Sequence, residues 1–179
     1  MTGSGAPEVW LRGPVDGVPP GLQPVAHALL QAREEIERGL ADFPDALLCE
    51  RPAGVAPVGF HLRHIPGVID RLFTYARGEQ LSEAQREALA AETTPAPGTT
   101  AAELVAGVGG AVAGAVERLG EVDERTLTEG REVGRARLPS TVQGLLFHVA
   151  EHTMRHVGQM LVTARLVRER GVQRGASVT

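Results

Sequence analysis

The chemistry-bearing residues of this sequence are its histidines, and they fall in two groups. "HVAEHTMRHVGQM", His148 to Met160, holds three of the six histidines, and "GFHLRHIPG" holds His61 and His64. Neutral imidazoles suit zinc and related divalent ions, at nitrogen–metal distances of about 2.0–2.1 Å. On a helix, a step of four residues advances about 400°, leaving a drift of about 40°. His148, His152 and His156 therefore rise along one edge, with His156 deepest, His152 at the margin of the buried side and His148 drifting toward solvent. Neighbours such as His152 and His156 can grip one ion, but a straight helix is less able to place all three around it. A ligand from a second helix is physically sensible, and "HLRH" offers one. By periodicity His61 lies nearer the apolar face, with His64 roughly 60° away. Pro66 could bend this stretch and blur that angle.

The run is not the HExxH of a zinc protease. Thr153 stands where the catalytic glutamate would be, and Glu151 precedes His152 and points about 100° away. A histidine-held ion would instead acidify bound water or a bound thiol and so supply the nucleophile. His27 reads as structural or as lining the mouth of a cavity. Cys49, the only cysteine, reads as a buried, inert thiol, because nothing near it in sequence lowers its pKa. One cysteine also excludes an internal disulfide and cysteine-rich metal motifs.

Helices must position these residues. An apolar stripe of Val25, Leu29, Ile36 and Leu40 predicts a helix from about Pro24 to Asp42. Val58, Leu62, Ile65, Ile69, Leu72, Phe73 and Ala76 predict another from about Pro57 to Arg77. "SEAQ" at Ser82 reads as a capping box opening a short helix, and "TTPAPGTT" reads as a loop. "TAAE" at Thr100 is a second box, opening a helix to about Leu119. The glycines of that helix (Gly107, Gly109, Gly110, Gly114) predict close packing as an inner element. The polar stretch from Gly120 to Leu138 has room for a short extended piece around "REVGRARL". "STVQ" at Ser140 reads as a third box, opening a last helix to about Arg170 that ends at Gly171. Its buried side is Val142, Leu145, Leu146, Val149, Thr153, Val157, Met160 and Ala164.

Four amphipathic helices predict an all-α fold: a four-helix bundle with a short additional helix and an irregular N-terminal arm. The expected divisions are the arm at 1–22, the bundle at 23–171 and a flexible tail at 172–179. A length of 179 residues suits one domain, and the net charge of −4 with no dense basic block argues against a nucleic-acid partner. No stretch reaches eighteen apolar residues, and the N-terminus lacks the pattern of a secretion signal. Together these features fit a soluble cytoplasmic protein.

From about Pro24 to Arg170 the chain resembles the DinB/YfiT-like superfamily of bacterial four-helix metalloproteins. The strongest parts are "PVGFHLRHIPGVIDRL" and "LLFHVAEHTMRHVGQMLVTARL". The family pattern has one histidine in the second helix and an HxxxH pair in the last, often followed by Gly-Gln, here Gly158 and Gln159. The resemblance implies a metal held by His64, His152 and His156. It prefers His64 over the rival His61, against the angular argument, and makes His148 a supporting or cavity-lining neighbour. It further implies a divalent metal, zinc or nickel, a low-molecular-weight thiol cosubstrate and a homodimer. The implied activity is that of a thiol-dependent S-transferase, or of a hydrolase if water takes the thiol's place, acting on a small molecule. The alternatives are a non-catalytic, metal-stabilised or sensory bundle and a plain helical scaffold. Arg63, Arg71 and Arg155 are open to substrate contact, although solvated charge is the simpler reading of each.

Overall fold

A computed structural model describes residues 6–94 and 98–176; residues 95–97 of the expected "TTPAPGTT" loop and the extreme termini lie outside them. The helices are α1 (Gln23–Gly39), α2 (Val58–Ala76), the short α3 (Glu83–Ala91), α4 (Ala101–Gly120) and the long α5 (Val142–Ala176). A hairpin of β1 (Gly130–Val133) and β2 (Leu138–Thr141) leads into α5. The expected extended piece is thus two antiparallel strands, turned at Gly134, whose φ of 69° suits a residue without Cβ.

The four long helices form a bundle in which α5 packs on α1 and α2, and α4 packs on the same two. Helices α1 and α2 therefore stand on one diagonal and α4 and α5 on the other. Each contributes its apolar stripe to one core, including Leu29 and Ile36 from α1, Leu62, Ile65 and Ile69 from α2, Val108, Val112 and Leu119 from α4, and Leu146, Val149, Val157 and Met160 from α5. The stripes expected for α1 and α5 are buried in full. No helix among the described residues is long and apolar enough to cross a membrane.

The arm before α1 contains two short 3-10 turns, Val9–Leu11 and Pro20–Leu22, and is otherwise irregular. It is fastened along α1: Arg12 pairs with Glu34 at 2.6 Å, and His27 Nε2 lies 3.0 Å from the Gly13 carbonyl. His27 is therefore structural. Leu22 and Val18 continue into the core.

Several expectations need correction. Most of the α4 glycines do not make its packing surface. Gly109 faces α1, where a Cβ would lie 3.8 Å from Glu37 Oε1, but Gly107 and Gly110 are exposed, and a Cβ at Gly107, Gly110 or Gly114 would meet nothing within 4 Å. Its buried side is Ala101, Val108, Val112, Ala115 and Leu119, so the β-branched and leucine positions seat the helix. The boxes at Ser82 and Thr100 are formed, each side chain accepting from the backbone three residues on. The third is displaced: Ser140 belongs to β2, and Thr141 Oγ1 accepts from Gly144 N at 3.0 Å. Helix α5 passes through Gly171 and runs to Ala176. Cys49 is exposed rather than buried, because Leu48 takes the inward position beside it.

Candidate metal centre

Two elements meet at the histidines. Helix α2 starts after Pro57, whose extended backbone (φ −75°, ψ 159°) sets the turn into the helix, and it continues through Pro66. Pro66 has no N–H, so the Leu62 carbonyl loses its usual helical donor within one turn of the histidines. Helix α5 is fixed by its cap at Thr141 and by the buried Val149, Thr153 and Val157. The packing of α2 on α5 brings "HLRH" against the His148–His156 edge.

His64, His152 and His156 converge: one ring nitrogen from each lies within 4.8 Å of the other two. His64 Nε2 stands 3.1 Å from His152 Nε2, and the His156 ring centroid is 4.5 Å from those of both His64 and His152. Two ligands about 2.05 Å from a tetrahedral ion are about 3.3 Å apart, so the His64–His152 spacing suits one shared ion. Phe60 stacks on His64 with its centroid 5.1 Å away and the planes 16° apart.

The outer nitrogens of two of these rings are held. His64 Nδ1 lies 2.6 Å from Glu92 Oε2, and Arg71 Nη1 donates to Glu92 Oε1 at 2.5 Å. A carboxylate beside Nδ1 keeps the proton there and leaves the Nε2 lone pair free to bind an ion. Burial raises the Glu92 carboxyl, but the bonds from His64 and Arg71 outweigh it and hold the group below its ordinary value. His156 Nδ1 lies 2.8 Å from His61 Nδ1, so one of the pair must donate. If His156 offers Nε2 to an ion, its Nδ1 proton points at His61, which then accepts. His152 Nδ1 is buried and has no hydrogen-bond partner among the described residues.

His61 is thus nearly fully buried (2% exposed), in keeping with its apolar-side position. It touches the cluster through His156 and is not in the converging trio. Burial, then the neighbouring His64, lowers its pKa to about 4. His156 is also lowered to about 4, by burial and then by His64 and His152, and His152 is lowered by burial and then by His148 and His64. Imidazoles kept neutral by their surroundings present lone pairs rather than protons. The donor set and its spacing fit a divalent ion.

His148 is half-exposed, and its Nδ1 lies 2.5 Å from Glu151 Oε1, while Arg155 holds the other carboxylate oxygen. His148, Glu151 and His152 also bring one donor each within 4.8 Å. All three come from α5, however, and Glu151 is already engaged by Arg155.

Arg71 is buried in its ion pair with Glu92, not solvated, and Arg63 Nε donates to the Glu92 backbone carbonyl at 3.1 Å. The sequence reading missed Glu92 and the glycine that admits it. A Cβ on Gly67 would fall 2.3 Å from Glu92 Oε1 and 2.6 Å from Arg71 Nη1, so a larger residue there would have to move one of those side-chain tips. A signal for half of this was present: seven residues separate His64 from Arg71, which puts both on one side of a helix. Nothing in the sequence tied that side to a carboxylate at the end of α3.

Residues 28–160 match the family described as DinB superfamily. Among solved structures, the chain is similar to a conserved protein of Enterococcus faecalis, with 20% identity and a TM-score of 0.62, covering 83% of this chain and 97% of that one. It is also similar to a protein of Streptococcus pneumoniae, with 15% identity and a TM-score of 0.60, covering 83% and 90%. Those likenesses concern the fold. No curated protein gives a significant match.

Proposed function

The chain belongs to the DinB superfamily, and on that premise we propose that it binds a divalent metal, zinc or nickel, and activates a small thiol or water for attack on a small molecule. The observation that carries this reading is the convergence of one nitrogen each from His64, His152 and His156 within 4.8 Å. Three protein ligands would leave a coordination position for a thiol or water, and the ion's Lewis acidity would lower the pKa of whichever binds.

The protein's own groups prepare that centre. Glu92 fixes the proton of His64 on Nδ1, and Arg71 stabilises Glu92 as a carboxylate. His61 orients His156 through the Nδ1 contact, and Phe60 holds the plane of His64 by stacking. None of these side chains is required to carry a proton to substrate; they set ring orientation and lone-pair direction. A homodimer is part of the proposal. Exposed Phe147, Val162 and Leu166 on α5 are apolar side chains that a second copy would cover.

Cobalt-substituted protein titrated with a low-molecular-weight thiol tests the activity. A new thiolate-to-metal absorption band, absent from the His152→Ala, His156→Ala double variant, is the expected result. A metal-loaded protein whose spectrum no thiol alters, and which hydrolyses no small ester or amide, would instead favour a non-catalytic, metal-stabilised bundle.

A further inference from the structure

Where α2 and α4 end and α5 begins, a cavity of about 360 Å³ opens beside the hairpin. Its apolar wall is made by Phe73, Val142 and Leu146, all buried at 3% exposure or less. Arg118 of α4 lies across this wall, with its Cζ 4.2 Å from the Phe73 ring centroid. Its Nε donates to the Gly114 carbonyl at 3.0 Å, which fixes the guanidinium in place. Among the described residues, no carboxylate lies within ion-pair distance of Arg118, and its two terminal nitrogens have no hydrogen-bond partner; Asp70 and Glu121 act on it only from farther away.

The other charges around the cavity are already matched. Arg77 pairs with Glu79 at 2.8 Å, Arg131 pairs with Glu129 at 2.9 Å, and Asp123 is held by Arg125 at 2.6 Å. Glu121 also lines the space and is the one carboxylate there without such a pair among the described residues. A half-buried guanidinium on an apolar wall keeps its charge but loses part of its hydration. Its planar fork matches a carboxylate, which would restore that lost interaction.

We propose that this cavity binds a small monocarboxylate with an apolar body. The carboxylate takes the terminal nitrogens of Arg118, and the body lies against Phe73, Val142 and Leu146. A volume at the lower end of the usual 300–1,000 Å³ range fits a molecule of roughly ten heavy atoms. One free guanidinium favours one carboxylate over two. The site is distinct from the histidine centre. Phe73 follows His64 by nine residues on α2 and Leu146 precedes His152 by six on α5, about 13 Å and 9 Å along those axes.

Calorimetric titration of the full chain with benzoate and with hexanoate, using benzyl alcohol as the uncharged counterpart, tests this. Both carboxylates should bind saturably and benzyl alcohol much more weakly. Arg118→Gln should weaken benzoate by tenfold or more, on the order expected for a lost charged hydrogen bond. Glu121→Gln should tighten it, and the His152→Ala, His156→Ala variant should leave it unchanged. Circular dichroism establishes that each variant is folded; if Arg118→Gln is not, the Glu121→Gln and benzyl alcohol comparisons decide. No saturable binding, equal binding of benzoate and benzyl alcohol, undiminished binding in folded Arg118→Gln, or loss in the histidine variant each overturns the proposal. The last result would put the anion at the histidine centre, so it bears on this cavity and leaves the metal reading standing.

Discussion

Glu92 is the residue that turns a group of histidines into an oriented centre. Its carboxylate holds His64 on one side and Arg71 on the other, in a space that Gly67 leaves open. Glu92→Gln should keep the fold and lower metal affinity by about 10–100-fold, as for other partners of metal-bound histidines; competition against a fluorescent chelator measures it. Gly67→Ala separates packing from propensity. Alanine favours an exposed helix by about 1 kcal/mol over glycine, so a merely tolerated glycine would give a more stable protein with unchanged metal affinity. Weaker metal binding is expected instead, because the new Cβ must displace Glu92 or Arg71. Protons compete at the same rings. In the metal-free protein His61 and His156 are held near pH 4, against 6.5 ordinarily. Between those values the unfolded chain binds protons that the native one refuses, so stability falls as pH drops from about 6.5 to about 4. Urea melts of metal-free protein across that range should show a falling midpoint, and Glu92→Gln should not abolish the fall.

At the scale of elements, clean apolar stripes put both histidine groups on helices, while the preference for His64 over His61 came from the family resemblance, against the angular argument. The stripe of α5 placed His156 deeper than His148, and that is the observed order of side-chain exposure. The choice between His61 and His64 was harder, since burial and donor convergence select different residues. His61 is the more buried, yet His64 stands in the converging trio. Short-range chemistry was also readable at Ser82 and Thr100. It failed by one residue at Ser140: α5 begins at Val142, so Thr141, immediately before it, is the residue placed to cap. Tertiary partners such as Glu92 have no periodic signature at all. Because α3 is a nine-residue helix capped by Ser82, its cap should matter beyond its own stability. Ser82→Ala should cost about 1 kcal/mol locally. By loosening the element that carries Glu92, it should also reduce metal affinity, though less than Glu92→Gln does.

For the whole molecule, an ion held by α2 and α5 would tie together one of the bundle's four packed helix pairs, with α3 attached through Glu92. A ligand that binds only the native state stabilises it by about 2.7 kcal/mol at one hundred times its Kd. For a chain of this size that corresponds to a rise in Tm of roughly 5–10 °C, lost on chelation. The claim on which the rest stands is that His64, His152 and His156 hold one metal ion. Elemental analysis of protein purified without an affinity tag tests it most directly, alongside single His→Ala variants at the three positions and at His61 and His148. The expected result is about one zinc or nickel per chain, nearly complete loss in the His64, His152 and His156 variants, and retention of most metal without His148. Negligible metal in the wild-type chain after reconstitution, or equal metal in the wild type and the three ligand variants, would contradict it.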